Sequence, residues 1–180
     1  MKNTPALFLD RDGVINKEKN YLYKIEDFEF IDGVFETCRY FQNNSYKLVI
    51  VTNQAGIARG YYNEQDFTTL NDWMLKEFKK QQIIIDAVYH CPHHPEGNLP
   101  ALAIDCECRK PKPGMLLQAK SDLNICIKNS ILVGDKVSDI LAGKNAGIGT
   151  SILIETGHGL DASDKLMADK VVKSLKDLCK

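Results

Sequence analysis

Ala6-Leu7-Phe8-Leu9-Asp10-Arg11-Asp12-Gly13 is the stretch on which the reading of this chain turns. Four apolar residues run without a break into two carboxylates one residue apart. A short run that is apolar at every position suits a strand buried on both faces, the environment of a parallel sheet. Alternate side chains of an extended segment point the same way, so Asp10 and Asp12 can converge on one small volume at the strand end. Two carboxylates held together repel, and each tends toward its protonated form unless a cation joins them. Hard oxygen donors suit Mg²⁺, which takes few protein carboxylates and keeps positions for water and phosphate. A carboxylate in such a place can also attack phosphorus as a nucleophile. A solvated acidic turn can have the same residues, so the rest of the chain decides between the two.

Working outward, further apolar runs at Leu48–Val51, Ile83–Val88, Ile131–Val133 and Thr150–Ile154 read as strands. Helical patterns separate them. One covers Gly33–Phe41, with Asp32 as its N-cap. Glu64–Lys80 follows Asn63, with Asp66 three residues on as in a capping box. Gly114–Leu123 begins after two prolines, and Ser138–Ala146 ends at Gly147, a natural C-cap. Ser174–Cys179 is a weak final helix. Alternating strands and helices predict an α/β fold: a doubly wound, mainly parallel, Rossmann-like sheet with helices on both faces. Ligands of such sheets bind beyond the carboxyl ends of the strands. Two stretches read as elaborated loops, 16–30 and 91–114. The 180 residues, 44% of them hydrophobic, suit one core, and residues 1–180 are read as one domain.

The formal net charge of −1 gives no reason to expect nucleic acid or an anionic membrane as a partner. No apolar stretch approaches the ~20 residues of a membrane span. Met1 to Pro5 is polar and carries no secretory apolar region, which predicts a cytoplasmic protein. No unexplained apolar helix face stands out, so a monomer is expected.

The other polar clusters also fall near strand ends. Thr52-Asn53-Gln54-Ala55-Gly56 follows the second strand, and its hydroxyl and turn N–H groups suit phosphate oxygens, although a turn with a satisfied Thr has the same sequence. Arg109-Lys110-Pro111-Lys112-Pro113-Gly114 concentrates three cations before a helix. A guanidinium grips phosphate in bidentate fashion while a lysine acts as a point charge; a solvated basic turn is the alternative. Gly134-Asp135-Lys136-Val137-Ser138-Asp139 follows the fourth strand. Asp135 can complete a metal site, and Asp139 can orient Lys110 or a ligand, or else Ser138 or Asp139 caps the next helix.

Cys91-Pro92-His93 and, after a gap of twelve residues, Cys106-Glu107-Cys108 offer three thiolates and an imidazole. That is a tetrahedral zinc set with all four positions filled by protein, hence structural rather than catalytic. Disulfides and free thiols are the competing readings, and His90 and His94 flank the set as alternative ligands. Cys38 and Cys126 read as core residues, and Cys179 as an ordinary thiol near the C-terminus.

Together these elements, D-x-D-G, then Thr, then Lys, then G-D-x-x-x-D, resemble the haloacid dehalogenase (HAD) superfamily of phosphotransferases over nearly the whole chain. The resemblance implies Asp10 as nucleophile and Asp12 as general acid and base. It implies Thr52 and Lys110 as stabilisers of the transferring phosphoryl group. Mg²⁺ would be held by Asp10, Asp135 and the backbone carbonyl of Asp12. No insertion after Gly13, nor between Thr52 and Lys110 beyond the cysteine-rich loop, is large enough for a cap domain, so an open site is expected.

More narrowly, F-L-D-R-D-G-V-I-N, F-E-F-I-D-G-V, V-T-N-Q-A-G-I-A-R-G, C-P-H-H-P-E-G, C-E-C-R-K-P-K-P-G-M-L and V-G-D-K-V-S-D are similar to the D-glycero-D-manno-heptose 1,7-bisphosphate 7-phosphatase family. That family removes the 7-phosphate on the route to nucleotide-activated heptose for lipopolysaccharide or surface glycans, and it carries a Cys/His zinc loop at this position. The resemblance implies zinc on Cys91, His93, Cys106 and Cys108. It implies substrate contacts from Glu18, Lys19, Asn20, Tyr21, Asn53, Gln54, Ala55 and Arg109. Lys136 would reach the Mg²⁺ through its carbonyl or a water. Histidinol-phosphate phosphatases share the scaffold, the zinc loop and the C-R-K-P-K run, and Lys112 stands where the heptose branch usually has histidine. A zinc-stabilised binding module without catalysis is the alternative of a different class. The intact set Asp10, Asp12, Thr52, Lys110 and Asp135 opposes it.

Overall fold

The structure, a computed structural model, describes residues 3–156 and 159–179. Met1 and Lys2, the start of the polar lead-in, lie outside the described residues. The strands are β1 (Ala6–Leu9), β2 (Lys47–Asn53), β3 (Ala87–Cys91), β4 (Ile131–Gly134), β5 (Thr150–Ile154) and β6 (Lys170–Val172). They form one six-stranded sheet in the order β3-β2-β1-β4-β5-β6. Every pairing is parallel, with Leu7 opposite Leu48 on one side and Ile131 on the other. The sheet is therefore doubly wound, as its alternating sequence pattern predicts.

The period-two geometry of β1 divides its residues between two cores. Leu7 and Leu9 join one cluster with Val34, Cys38, Phe41, Met74 and Phe78. These come from α1 (Val34–Asn43) and α3 (Glu64–Lys80). Ala6 and Phe8 join the other with Met115, Leu116, Ala119 and Ala142, from α4 (Gly114–Leu123) and α5 (Val137–Ala146). All four strand residues are fully buried. Each large apolar side chain among them contributes about 1.5–3 kcal/mol. The unbroken apolar run therefore reflects a strand covered on both faces.

Several local expectations are corrected. Asp32 does not cap α1; Gly33 occupies that position with φ of 87° and no side-chain cap is made, while Asp32 pairs with Lys176 at 3.0 Å. The Ile83–Val88 run is not a strand along its length. Ile83 plugs the core below α3, Ile84 is exposed, and pairing with β2 begins at Ala87 opposite Val49. The final helix is a 3-10 turn, Leu175–Leu178, capped by Ser174. Cys126 is half-buried rather than a core residue, whereas Cys38 is fully buried. Three elements carried too little pattern to be read: α2 (Ala55–Ala58), α6 (Ala162–Met167) and the edge strand β6. The Asn63–Asp66 capping box and the left-handed Gly147 at the end of α5 are present as expected.

Candidate active site

Strands β1 and β4 are neighbours, and the chain winds away from them in opposite directions. A crevice opens beyond the carboxyl ends of the strands at such a switch point. Asp10 leaves β1 with its N–H donating to Val133 O at 3.1 Å, and Asp135 leaves β4 directly after Gly134. Gly13 lets the β1 end approach β4: its φ is 92°, and a Cβ there would stand 2.2 Å from Asp135 Oδ2. A Cβ on Gly134 would stand equally close to Asp139 Cβ, at 2.2 Å. Both glycines thus make room for carboxylates.

Lys110 arrives from the long loop and is 3% exposed. Its Nζ lies 2.9 Å from Asp10 Oδ1, 2.8 Å from Val51 O and 2.6 Å from Asp139 Oδ1. An ammonium has three donors, and these three acceptors match them. Asn53 locks the loop to β2 by accepting from Lys110 N and donating to Lys110 O, both at 3.1 Å. Asp139 also accepts from Lys136 N at 3.1 Å, so it closes the first turn of α5 while orienting Lys110. The two readings of Asp139 are both realised.

Burial pushes the Asp10 carboxyl up to about 6; Lys110 opposes the shift, while Asp139 and Asp12 add to it. Burial pushes Asp135 up to about 8, with the repulsion of Asp10 and Asp139 behind it. Burial disfavours the Lys110 charge, but Asp10 and Asp139 hold the ammonium well above its ordinary value. Asp10, Asp135 and Asp139 are buried and each brings a carboxylate oxygen within 4.8 Å of the others. Lys110 touches Asp10 and Asp139, and Lys136, itself shared with Glu18, acts on Asp135, so the carboxylates here outnumber the ammonium groups. An oxygen-only donor set of that kind fits Mg²⁺.

The Asp12 carboxylate faces other partners. Arg11 Nη2 donates to its two oxygens at 3.0 and 2.9 Å, Asn16 Nδ2 to Oδ1 at 2.9 Å, and Gln54 Nε2 to Oδ2 at 3.1 Å. Gln54 Nε2 also donates to Thr52 Oγ1 at 2.9 Å. Tyr62 OH in turn donates to Gln54 Oε1. Gly56 allows this, since a Cβ there would stand 2.1 Å from the Tyr62 ring.

These groups border a cavity of about 480 Å³. Asp10, Asp12, Glu18, Asn20, Tyr21, Asn53, Gln54, Ala55, Arg109, Lys110 and Lys136 line it, all singled out from sequence. Thr52 and Asp135 are buried beside it. Lys19 lies outside, donating to Asp27 O at 2.8 Å. Lys112 also turns away, to Asp105 at 2.9 Å and Glu107 at 3.2 Å, so of the three cations of the basic turn Arg109 and Lys110 line the cavity. The Gln54 N–H expected to face phosphate is committed to Cys91 O at 2.8 Å. Lys136 Nζ pairs with Glu18 at 3.3 Å, and its carbonyl accepts from Asp139 N at 3.0 Å. Lys136 therefore serves the cluster by holding Asp139. Tyr62, His94, Pro111 and Ser138 also line the cavity; the sequence marked His94 only as an alternative zinc ligand and Tyr62 only as one of several loop tyrosines that can face a polyol. A tyrosine or a histidine on a loop has no periodicity that would mark it.

The four zinc candidates meet beside this cavity. Cys91 Sγ lies 3.4 Å from Cys106 Sγ and 3.0 Å from Cys108 Sγ, and Cys106 Sγ lies 3.3 Å from Cys108 Sγ. His93 Nδ1 stands 3.8 Å from Cys91 Sγ and 3.5 Å from Cys108 Sγ. All are far longer than the ~2.05 Å of a disulfide, and the cysteines are free. Metal–sulfur bonds of ~2.3 Å set donors a little under 4 Å apart on a tetrahedron, so the set fits zinc. Of the flanking histidines, His90 instead pairs with Glu64 at 2.8 Å and stacks on Phe67.

A HAD-hydrolase-like family model matches residues 107–178. A Campylobacter jejuni protein named D-glycero-alpha-D-manno-heptose-1,7-bisphosphate 7-phosphatase is 63% identical over 84% of this chain and 83% of its own. The Yersinia pestis D-glycero-beta-D-manno-heptose-1,7-bisphosphate 7-phosphatase is 46% identical over 99% of this chain and 95% of its own. The crystal structure of D,D-heptose 1,7-bisphosphate phosphatase from B. bronchiseptica, complexed with magnesium and phosphate, superposes with a TM-score of 0.80. It shares 26% identity and covers 97% of this chain and 96% of its own.

Proposed function

This chain belongs to the D-glycero-D-manno-heptose 1,7-bisphosphate 7-phosphatase family of HAD-like hydrolases, and we propose that it removes the 7-phosphate from that sugar through an aspartyl-phosphate intermediate. The observation that carries the reading is Asp10, a buried carboxylate on the cavity paired with Lys110 at 2.9 Å and clustered with Asp135 and Asp139.

In the chemistry proposed, Asp10 forms a bond to phosphorus as the bond to the sugar O7 breaks. Asp12 gives its proton to the leaving alkoxide. The Asp12 carboxylate then takes a proton from water, whose oxygen attacks phosphorus, freeing Asp10 and inorganic phosphate. Thr52 and Lys110 hold phosphoryl oxygens, and the arriving phosphoryl group competes with Asp10 Oδ1 for a Lys110 proton. Asp10 and Asp135, with the carbonyl of Asp12, are the residues that would hold magnesium, which supplies charge neutralisation. Cys91, His93, Cys106 and Cys108 would hold a structural zinc that fixes the loop leading to Arg109 and Lys110. Residues 1–180 act as one catalytic domain. The product keeps its 1-phosphate, the form that nucleotidyl transfer requires, which suits a cytoplasmic step toward nucleotide-activated heptose.

We assign the α anomer as the preferred form. The relative named for it shares 63% identity against 46% for one named for the β anomer. The test is phosphate release with Mg²⁺ from both anomers and from histidinol phosphate. A higher kcat/KM for the α bisphosphate, with one phosphate released from C7 by phosphorus NMR, is the expected result. Preference for histidinol phosphate would overturn the substrate and leave the aspartyl-phosphate chemistry in place.

A further inference from the structure

His94 borders the cavity that holds Asp10, yet neither the metal clusters nor the phosphoryl chemistry uses it. Its ring is committed at one nitrogen only. Glu96 N donates to His94 Nδ1 at 3.0 Å. A backbone N–H can only donate, so Nδ1 carries the lone pair and the proton of the neutral ring sits on Nε2. Nε2 has no hydrogen-bond partner among the described residues. The turn that fixes the ring is tied down as well, with His94 N donating to Leu102 O at 3.2 Å and Gly97 N to His94 O at 2.9 Å. His94 thus offers the cavity a fixed N–H donor.

Arg109, which lines the same cavity and whose charge acts on His94, is braced by one guanidinium nitrogen on His93 O at 3.3 Å. It forms no ion pair among the described residues. At the Asp10 end, by contrast, the carboxylates outnumber the ammonium groups. The cavity therefore pairs a metal-seeking acidic centre with an uncompensated cation and a neutral donor carried by the two ends of the cysteine-rich loop. A guanidinium with a neighbouring N–H is complementary to a phosphate dianion. A sugar hydroxyl would leave the guanidinium charge unmatched.

We propose that His94 is a specificity-determining residue: its Nε2–H, together with Arg109, binds the second phosphate of the bisphosphate, the one that is not cleaved. This rests on the substrate reading given above. Recognition then depends on the zinc loop, because His94 lies next to His93 and Arg109 next to Cys108.

The test is kcat/KM for the heptose 1,7-bisphosphate and for heptose 7-phosphate, measured with wild type, His94→Ala and His94→Gln, with zinc content read for each. Wild-type turnover of the bisphosphate is read first; its absence overturns the substrate reading and this role with it. Given that turnover, His94→Ala lowers the ratio of the two kcat/KM values about tenfold, through KM for the bisphosphate, which corresponds to about 1.4 kcal/mol. His94→Gln keeps a donor and restores the ratio to within about threefold. An equal loss on both substrates, or an unchanged ratio in His94→Ala, overturns the role of His94 while leaving the substrate reading standing.

Discussion

Lys110 Nζ lies 2.9 Å from Asp10 Oδ1, an ion pair between residues one hundred positions apart, buried at the carboxyl end of the sheet. The pair joins the end of β1 to a loop with little regular structure. It concentrates the cation that the acidic cluster needs at the atom expected to attack phosphorus.

Removing that cation exposes the cluster's repulsion. Lys110→Met leaves Asp10 and Asp139 buried without their partner and should destabilise the metal-free protein by about 3–5 kcal/mol at pH 8. The loss should shrink at pH 5.5, where the carboxylates accept protons. Urea unfolding at the two pH values measures it, and equal losses at both would contradict this account.

Asp10→Asn removes the nucleophile with little change of shape. Turnover should fall by about 10⁴-fold or more, with an unchanged circular dichroism spectrum. Retained turnover would sink the aspartyl-phosphate route.

The cluster also makes stability depend on pH. Asp135 and Asp10 have folded-state values of about 8 and about 6, both above the ordinary 3.8. A raised folded value means a contribution that is full below the unfolded value and lost as pH rises through the folded one. The metal-free protein should therefore lose stability between about pH 4 and pH 8, by up to about 1.4 kcal/mol per pH unit for each group. Mg²⁺, by favouring the ionised carboxylates, should raise Tm more at pH 8 than at pH 6. Differential scanning fluorimetry with and without Mg²⁺ reads this directly, and a shift that shrinks with pH would refute it.

Gly134 has room for no side chain, because a Cβ would meet Asp139 at 2.2 Å. Gly134→Ala should cost about 1–3 kcal/mol and displace the carboxylate that orients Lys110, lowering kcat more than it raises KM. Unaltered kcat would separate Asp139 from the chemistry.

Zinc removal should open the loop rather than the acidic centre. After chelation, proteolytic cleavage within residues 92–105 should accelerate, while the Mg²⁺-dependent rise in Tm persists. Unchanged cleavage would mean that the cysteines hold no structural ion.

The sequence by itself determined most of the sheet and most of the polar residues that meet at the cavity. Burial on both faces forces strands such as Leu7–Leu9 to be apolar at every position, and caps such as Asn63 and Gly147 have local causes, so both can be read from short windows. The Cys91, His93, Cys106 and Cys108 set was legible because ligand spacing is local at each end. Edge strand β6 and helix α6 were not, since a three-residue strand and a six-residue helix carry too few residues to form a period.

Only the tertiary structure decided which polar groups share the cavity. Lys19 and Lys112 turn away while Tyr62 and His94 turn in, because side-chain direction on a loop is set by the long-range contacts that fold it. The same holds for charge. One-dimensional spacing shows that Asp10, Lys110, Asp135 and Asp139 occur near strand ends, but burial and mutual distance fix their protonation and pairing, and those exist only once the sheet has brought the four together.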